Sequence, residues 1–162
     1  MGFVYRKLFG KVAGRPTNFS WVVAGRLAGC GRPMSRKEAE WLRSQGIDSI
    51  LSLTESPLPV GIVNGLGFTS LNLPLRNHVV PTAVQITDAV AFIDEEIERG
   101  GRVAVHCAAG QGRTGTVLAA YFMKTKGLSV GEAVRTVRRL RPGSIEDRQI
   151  GALSNYARNL SR

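Results

Sequence analysis

The sequence predicts an α/β domain in which a central, mainly parallel sheet of about four to five strands carries helices on both faces. Short apolar or β-branched runs at 47–53 and 103–107 are typical of buried strands. Helical periodicity is clearest at 82–98 and 129–140, and alternation of strands with helices favours parallel strands. Such sheets bind ligands beyond the carboxyl ends of their central strands, so we expect functional residues soon after residue 107.

The first elements of the chain are a hairpin and a helix. Apolar residues within Phe19–Leu27 predict a hairpin-like pair of strands, and Cys30 follows in a glycine-flanked loop where its role would be structural or incidental. Ser35 is predicted to cap a helix that ends near Gln45, with Glu38 completing a capping box.

Two further strands and two loops complete the first half. The run 47–53 predicts a core strand, and the alternating run 68–73 predicts another strand. The segments 54–59 and 74–81 are predicted to be loops, and the first of them is expected to line the functional site.

Four helices are predicted in the second half of the chain, at 82–98, 114–126, 129–140 and 146–160. The second is apolar on most sides, which predicts a central buried helix. Five apolar residues of the third are predicted to face inward: Val130, Ala133, Val134, Val137 and Leu140. Four arginines are predicted to lie outward or at its end: Arg135, Arg138, Arg139 and Arg141.

Length and composition predict one globular domain, spanning 18–162, behind a basic N-terminal extension or edge element at 1–17. The chain has 22 Lys and Arg against 12 Asp and Glu, a net charge of +10, which favours anionic partners or else a solvated basic surface. No apolar run is long enough to span a membrane, no signal peptide is evident, and the two cysteines imply no disulfide framework. We therefore expect a cytoplasmic monomer.

The stretch 103–116 carries the strongest functional signal. An apolar strand ends at Cys107, the chain turns through two glycines, and a helix begins near Arg113. Glycines allow close approach of the backbone to a ligand, and a helix N-terminus binds phosphate. The helix tip and a nearby arginine favour the nucleophilic thiolate form of a cysteine, and an arginine grips phosphate with two parallel hydrogen bonds.

These residues resemble the signature loop of cysteine-dependent tyrosine and dual-specificity phosphatases. The match comprises His106-Cys107, five residues, and then Arg113-Thr114-Gly115. Two other stretches are similar to small atypical dual-specificity phosphatases: Asn18–Gly29, which reads NFSWV and then GRLAG, and Arg138–Ser144. The resemblance covers nearly the whole chain from Asn18 and implies the compact fold of that family.

The residue chemistry implies a two-step mechanism without a metal or other cofactor. Cys107 attacks phosphorus to form a cysteinyl-phosphate, which water then hydrolyses. Arg113 and the backbone N–H groups of the loop hold the phosphate oxygens; the loop residues are Ala108, Ala109, Gly110, Gln111 and Gly112. Thr114 is expected to hydrogen-bond the cysteine sulfur. His106 is expected to orient the loop and stabilise the thiolate, the alternative being a structural histidine at a strand end.

The sequence departs from the family pattern at the general acid. The resemblance implies an aspartate in the loop 74–81, but Asn77 occupies the corresponding position, and an amide cannot donate that proton. His78 or Asp147 is a candidate substitute, and Gln149 is a candidate for the water-positioning glutamine of the family.

Three functions are consistent with this sequence. The first is a protein phosphatase that acts on phosphotyrosine, with phosphoserine and phosphothreonine as further substrates. The second is a phosphatase of phosphoinositides or of RNA 5′-triphosphate ends, which the basic charge permits. The third is a phosphate-binding module with little turnover, which the missing acid favours.

Overall fold

The computed structural model describes residues 14–161, which form a five-stranded sheet with six helices around it. The strands are β1 (Ser20–Val23), β2 (Leu27–Gly31), β3 (Ser49–Ser52), β4 (Thr69–Asn72) and β5 (Val103–Cys107). The helices are α1 (Arg36–Ser44), α2 (Val60–Gly65), α3 (Ala83–Glu98), α4 (Gly112–Lys126), α5 (Val130–Leu140) and α6 (Asp147–Leu160).

The strand order in the sheet is β1-β2-β5-β3-β4. Strand β5 is central and pairs in parallel with β2 and β3, and β3 pairs in parallel with β4. The pair β1/β2 is antiparallel, as the predicted hairpin requires. The prediction of a mainly parallel sheet is therefore confirmed, and the carboxyl end of its central strand is Cys107.

Helices cover both faces of the sheet, as predicted. The larger core packs α3, α4, α5 and α6 against one face, where alternate β5 residues Val103, Val105 and Cys107 point. The smaller core packs α1 and α2 against the other face, where Ala104 points. Helix α4 is buried along most of its length, in agreement with its apolar sequence.

Helix boundaries follow the capping residues. Thr82 caps α3 and Ser129 caps α5, each in a complete capping box. Ser35 caps α1 by accepting a hydrogen bond from the Glu38 N–H. The Glu38 carboxylate, however, accepts from the N–H of Met34, one residue before the position that a capping box uses.

Four details of the sequence-based prediction are wrong. Cys30 lies in β2 rather than in a loop, because β2 continues to Gly31 alongside β5. Leu140 ends α5 and is 39% exposed rather than buried. Arg141 lies at the end of α5, as predicted, but its side chain is buried rather than solvated. Helix α2 was not predicted, because its six residues include two glycines and are too few to show an amphipathic period.

Most of the predicted extension 1–17 lies outside the described residues. Within 14–161, no helix is both long enough and apolar enough to cross a membrane.

Candidate active site

The candidate site lies where β5 ends and α4 begins. Cys107 is the last residue of β5 and is 3% exposed, and α4 starts five residues later at Gly112. The first backbone N–H groups of a helix have no partner within that helix and carry a partial positive charge. The loop 108–111 therefore connects a cysteine to a helix end that attracts anions.

Two glycines between Cys107 and Arg113 lie close to neighbouring elements, and Gly110 has no room for a side chain. Gly110 has a φ of 73°, and a Cβ atom at this residue would collide with the backbone of Cys30 in β2. A Cβ atom at Gly112 would lie 2.9 Å from Nε2 of Gln149. The loop thus fits tightly between β2 and α6.

A cavity of about 170 Å³ opens over Cys107. Its lining consists of Asn77, Cys107, Ala108, Ala109, Gln111, Gly112, Arg113, Glu146 and Gln149. The structure therefore brings together the predicted nucleophile, the predicted phosphate-binding arginine, Asn77 and Gln149. Gly110 is the exception among the loop residues, because it faces a second cavity behind the loop.

Arg113 is held at the cavity wall by three acceptors and is 5% exposed. Its Nη1 donates to the carbonyl of Leu75 at 2.8 Å, to that of Leu53 at 3.4 Å and to the Glu55 carboxylate at 3.3 Å. Within the described chain, all of its hydrogen bonds use Nη1. Its Nε and Nη2 groups are therefore free to donate to a ligand in this cavity.

Glu55 joins this arginine to the loop that carries Asn77. One carboxylate oxygen contacts Arg113, and the other accepts a hydrogen bond from the backbone N–H of Asn77 at 2.8 Å. The hydrogen bond from Asn77 holds the pKa of the Glu55 carboxyl below its ordinary value, and Arg113 contributes a smaller part of this effect. Sequence reasoning missed Glu55, because it follows β3 and lies 58 residues from Arg113.

Glu146 is the one carboxylate among the residues that line the Cys107 cavity. It caps α6 together with Gln149, whose Oε1 accepts from the Glu146 N–H at 2.9 Å. The Glu146 carboxylate also forms an ion pair with Arg148. The spacing of Glu146 and Gln149 in the sequence is typical of a helix cap, but the proximity of Glu146 to Cys107 depends on the tertiary fold.

The two candidate substitutes for the general acid lie outside this cavity. Asp147 is 93% exposed at its side chain and pairs with Arg138 at 3.0 Å. His78 is exposed, and its Nδ1 lies 2.7 Å from Nη2 of Arg148. Neither residue is among those that line the cavity, so the structure supports neither as the proton donor.

His106 is buried on the opposite face of β5 from Cys107. Its Nε2 lies 2.7 Å from the Ser52 hydroxyl, and burial lowers the pKa of His106 to about 3. The ring is therefore neutral at physiological pH and contributes no positive charge to the site. Nδ1 of the same ring lies 3.4 Å from the carbonyl oxygen of Cys107, so both the predicted role in orienting the loop and the structural alternative stay predictions.

Thr114 does not make the predicted contact. Its hydroxyl is buried and has no hydrogen-bond partner within residues 14–161, Cys107 included. Helical geometry holds it in the first turn of α4. A buried hydroxyl without a partner is unusual and costs free energy. The Thr114 hydroxyl is therefore available to donate a hydrogen bond to a ligand or to the thiolate form of Cys107.

Arg141 supports the loop from behind. Its guanidinium donates to the carbonyls of Gly29 and Gly110 and to the Ser20 hydroxyl. Sequence reasoning placed it at a solvated helix end, but these acceptors lie on β1, β2 and the loop, far away in the sequence. Burial lowers the pKa of Arg141 because the charged form loses solvation.

In the part of the chain that the structure describes, no three His, Cys, Asp or Glu side chains lie close enough to hold a metal ion.

Comparison with known proteins places this arrangement in context. Residues 16–152 match the family model PTP-SAK, described as "Swiss Army Knife protein, DSP-PTPase phosphatase domain". The phosphatidylglycerophosphate phosphatase PTPMT2 of Arabidopsis thaliana is 32% identical over 111 residues, which cover 66% of this chain and 49% of that protein. The tyrosine-protein phosphatase cdc-14 of Caenorhabditis elegans is 29% identical over 141 residues, which cover 79% of this chain and 20% of that protein.

The chain thus spans about half the length of the plant relative and a fifth of the nematode relative. Among solved structures, Tk-PTP in its active form superimposes with a TM-score of 0.79 at 28% identity, covering 87% of this chain and 97% of that one.

Proposed function

Because the chain belongs to the PTP-SAK family of DSP-PTPase phosphatase domains, we propose that it hydrolyses phosphotyrosine in proteins through a cysteinyl-phosphate intermediate. The observation that carries this proposal is the shared cavity of Cys107 and Arg113 at the N-terminal end of α4. The helix end and the arginine attract the phosphate dianion, and the cysteine lies beside the position where the phosphate would bind.

Arg113 and the loop backbone bind the phosphate group. The N–H groups of the loop and of the first turn of α4 face the three non-bridging oxygens, and Arg113 donates through Nε and Nη2. Charge spreads over these oxygens in the transition state, so fixed donors lower the barrier without reorganising.

In the first chemical step, the Cys107 thiolate attacks phosphorus, an S–P bond forms, and the bond from phosphorus to the leaving oxygen breaks. The leaving oxygen keeps the electron pair. Asn77 can orient this oxygen with its amide but cannot protonate it. Phenolate, with a pKa of about 10, leaves without a proton far more readily than an alkoxide, which favours phosphotyrosine over phosphoserine.

In the second step, water attacks the cysteinyl-phosphate and the S–P bond breaks. Glu146 is the carboxylate that lines the cavity, so it is our candidate to accept the proton from this water, with the Gln149 amide orienting the oxygen. The sulfur leaves as a thiolate, and the unpartnered Thr114 hydroxyl is available to donate a hydrogen bond to it. Inorganic phosphate is the product.

A lipid phosphate is the second candidate substrate. The plant relative, which is 32% identical over the matched 111 residues, is named for phosphatidylglycerophosphate. The net charge of +10 favours an anionic membrane surface as much as an acidic peptide.

A substrate panel tests the proposed function directly. We expect kcat/KM to be highest for a phosphotyrosine peptide among five substrates: that peptide, its phosphoserine counterpart, phosphatidylglycerophosphate, a phosphoinositide and an RNA with a 5′-triphosphate end. Cys107→Ser is the control for contaminating activity. A higher value for a lipid would favour the second candidate. A burst of bound phosphate without turnover on any substrate would indicate a phosphate-binding module instead.

A further inference from the structure

A second cavity, of about 200 Å³, lies behind the phosphate loop. We call it the rear cavity. Its polar lining comes from Asn18, Ser20, Gln111, Arg141 and Ser144. Gln111 lines both this cavity and the one over Cys107, so one residue separates the two.

Arg141 gives the rear cavity a buried positive charge that has no carboxylate partner among the described residues. The side chain is 5% exposed, and its hydrogen bonds go to two backbone carbonyls and one hydroxyl, which are neutral acceptors. Within residues 14–161, none of the ion pairs involves Arg141. Its Nε is buried without a hydrogen-bond partner. Because the side chain is buried and no carboxylate pairs with it, an anion bound in the rear cavity would stabilise its charge.

Hydrogen-bond donors for an anion are also present. The Ser20 hydroxyl accepts from Arg141 at 2.6 Å, so its own proton is left for another acceptor. The side-chain amide of Gln111 makes no hydrogen bond with other described residues, and its Nε2 would lie 3.3 Å from a Cβ atom at Gly143. No carboxylate lines the cavity to repel an anion.

The rim of the rear cavity is apolar. Phe19, Leu140 and Pro142 are the larger apolar residues of the lining, and Leu140 is 39% exposed. An apolar rim favours the carbon atoms of a ligand whose anionic group lies inside. The cavity contains no nucleophile, so its role would be binding rather than chemistry.

We propose that the rear cavity binds a second phosphate group of a substrate, and that among substrates other than phosphoproteins those with two phosphates on one small polyol scaffold bind most tightly. This inference deepens the second candidate function, and it rests on the proposed function because the reacting phosphate is taken to bind over Cys107.

Calorimetric titration of the Cys107→Ser protein tests the subsite without turnover. The ligands are methylphosphonate and a series of alkylene bisphosphonates of increasing length, whose C–P bonds resist hydrolysis. We expect one spacing to bind at least about tenfold more tightly than methylphosphonate, the gain of one charge-assisted contact. A series in which no bisphosphonate exceeds methylphosphonate overturns the proposal.

A negative charge introduced beside the rear cavity tests whether bisphosphonates bind in this cavity or are attracted only by the net positive charge of the protein. Leu140→Glu places a carboxylate beside the rear cavity, and Leu160→Glu is the matched control, because Leu160 also ends a helix and is 43% exposed. We expect Leu140→Glu to reduce the ratio of bisphosphonate to methylphosphonate affinity about fivefold or more and Leu160→Glu to leave it unchanged. Equal losses for both ligands in Leu140→Glu overturn the proposal.

Hydrolysis of 4-nitrophenyl phosphate by the parent protein tests the proposed phosphatase activity independently of the rear cavity. If hydrolysis is absent while bisphosphonate binding remains sensitive to Leu140→Glu, the proposed function fails and the subsite stands. If hydrolysis occurs without any bisphosphonate gain, the subsite fails and the proposed function stands.

Two arms identify the source of the second phosphate. The first is soluble inositol 1,4-bisphosphate, and the second is phosphatidylcholine vesicles that contain phosphatidylinositol 4-phosphate. If binding in either arm weakens in Leu140→Glu but not in Leu160→Glu, the subsite is supported. The arm in which this happens shows whether the second phosphate belongs to a soluble ligand or to a lipid. Binding that is insensitive to Leu140→Glu in both arms contradicts it.

Discussion

Glu55 and Arg113 form an ion pair of 3.3 Å at the wall of the Cys107 cavity, and the same carboxylate holds the backbone N–H of Asn77. Arg113 follows β5, Glu55 follows β3, and Asn77 follows β4, so one side chain joins three segments at the carboxyl edge of the sheet. Glu55 contacts no reacting atom in the proposed mechanism. It is a positioning residue.

Glu55→Gln tests this positioning role. The amide keeps the shape and can still accept from Asn77, but it loses the charge that holds Arg113. We expect kcat/KM for an aryl phosphate to fall about tenfold, mainly through KM, because a charge-assisted hydrogen bond is worth about twice a neutral one. Glu40→Gln, which removes another exposed ion pair on α1, is the matched control. Equal activity of the two variants would contradict the role of Glu55.

Arg113→Lys is expected to lower kcat/KM by about a hundredfold or more, the cost of losing a transition-state donor. A lysine presents one point charge and cannot donate two parallel hydrogen bonds from a planar group. Arg36→Lys on exposed α1 controls for the substitution itself. Activity within a few fold of the parent, measured with 4-nitrophenyl phosphate, would place Arg113 outside the phosphate site.

Asn77→Asp is expected to raise kcat, most strongly for substrates with basic leaving groups. A general acid contributes about 10² to 10⁴ in rate, and Asn77, for which the family resemblance implies an aspartate, lines the cavity. The measurement is kcat against the pKa of the leaving group for both proteins. A flat dependence in the parent would show that another group already donates the proton, and Glu146 would be tested next. If Asn77→Asp leaves kcat unchanged and kcat still depends steeply on the pKa of the leaving group in both proteins, Asn77 does not lie where a general acid would act.

His106 makes the free energy of unfolding depend on pH. Its folded pKa is lowered to about 3, whereas a histidine in an unfolded chain takes up a proton near pH 6.5. Between these values the unfolded state binds the extra proton, so stability is complete above about pH 6.5 and falls as pH is lowered towards 3. Urea unfolding at neutral pH and at about pH 5 should show a smaller loss in His106→Asn than in the parent. Equal losses would indicate that the buried ring does not titrate in this way.

The sequence predicted the elements whose signals are local. Apolar runs identified the central strand that ends at Cys107, and apolar periodicity identified α3 and α5 within a residue or two. The glycines between Cys107 and Arg113 were predicted to let the backbone approach a ligand, but at Gly110 the structure shows a different reason, because a side chain there would collide with the backbone of β2.

The remaining features depend on contacts between distant parts of the chain. Arg141 donates to Gly29, 112 residues away, and to Ser20, 121 residues away, so nothing near it in the sequence indicates burial. The same holds for Glu55 and Arg113, which only the parallel pairing of β3 with β5 brings together. Glu146 was missed because a helix cap is a sufficient local reason for a glutamate at that position.

The cysteinyl-phosphate itself is the central claim. Rapid quenching of the protein with a phosphotyrosine peptide, followed by digestion and mass spectrometry, should reveal one added phosphoryl group on the peptide that contains Cys107. The Cys107→Ser protein should bind the same substrate and show neither the adduct nor hydrolysis. Hydrolysis by the serine variant at a rate close to that of the parent, or turnover by the parent with no phosphorylated Cys107 at any quench time, would contradict the account.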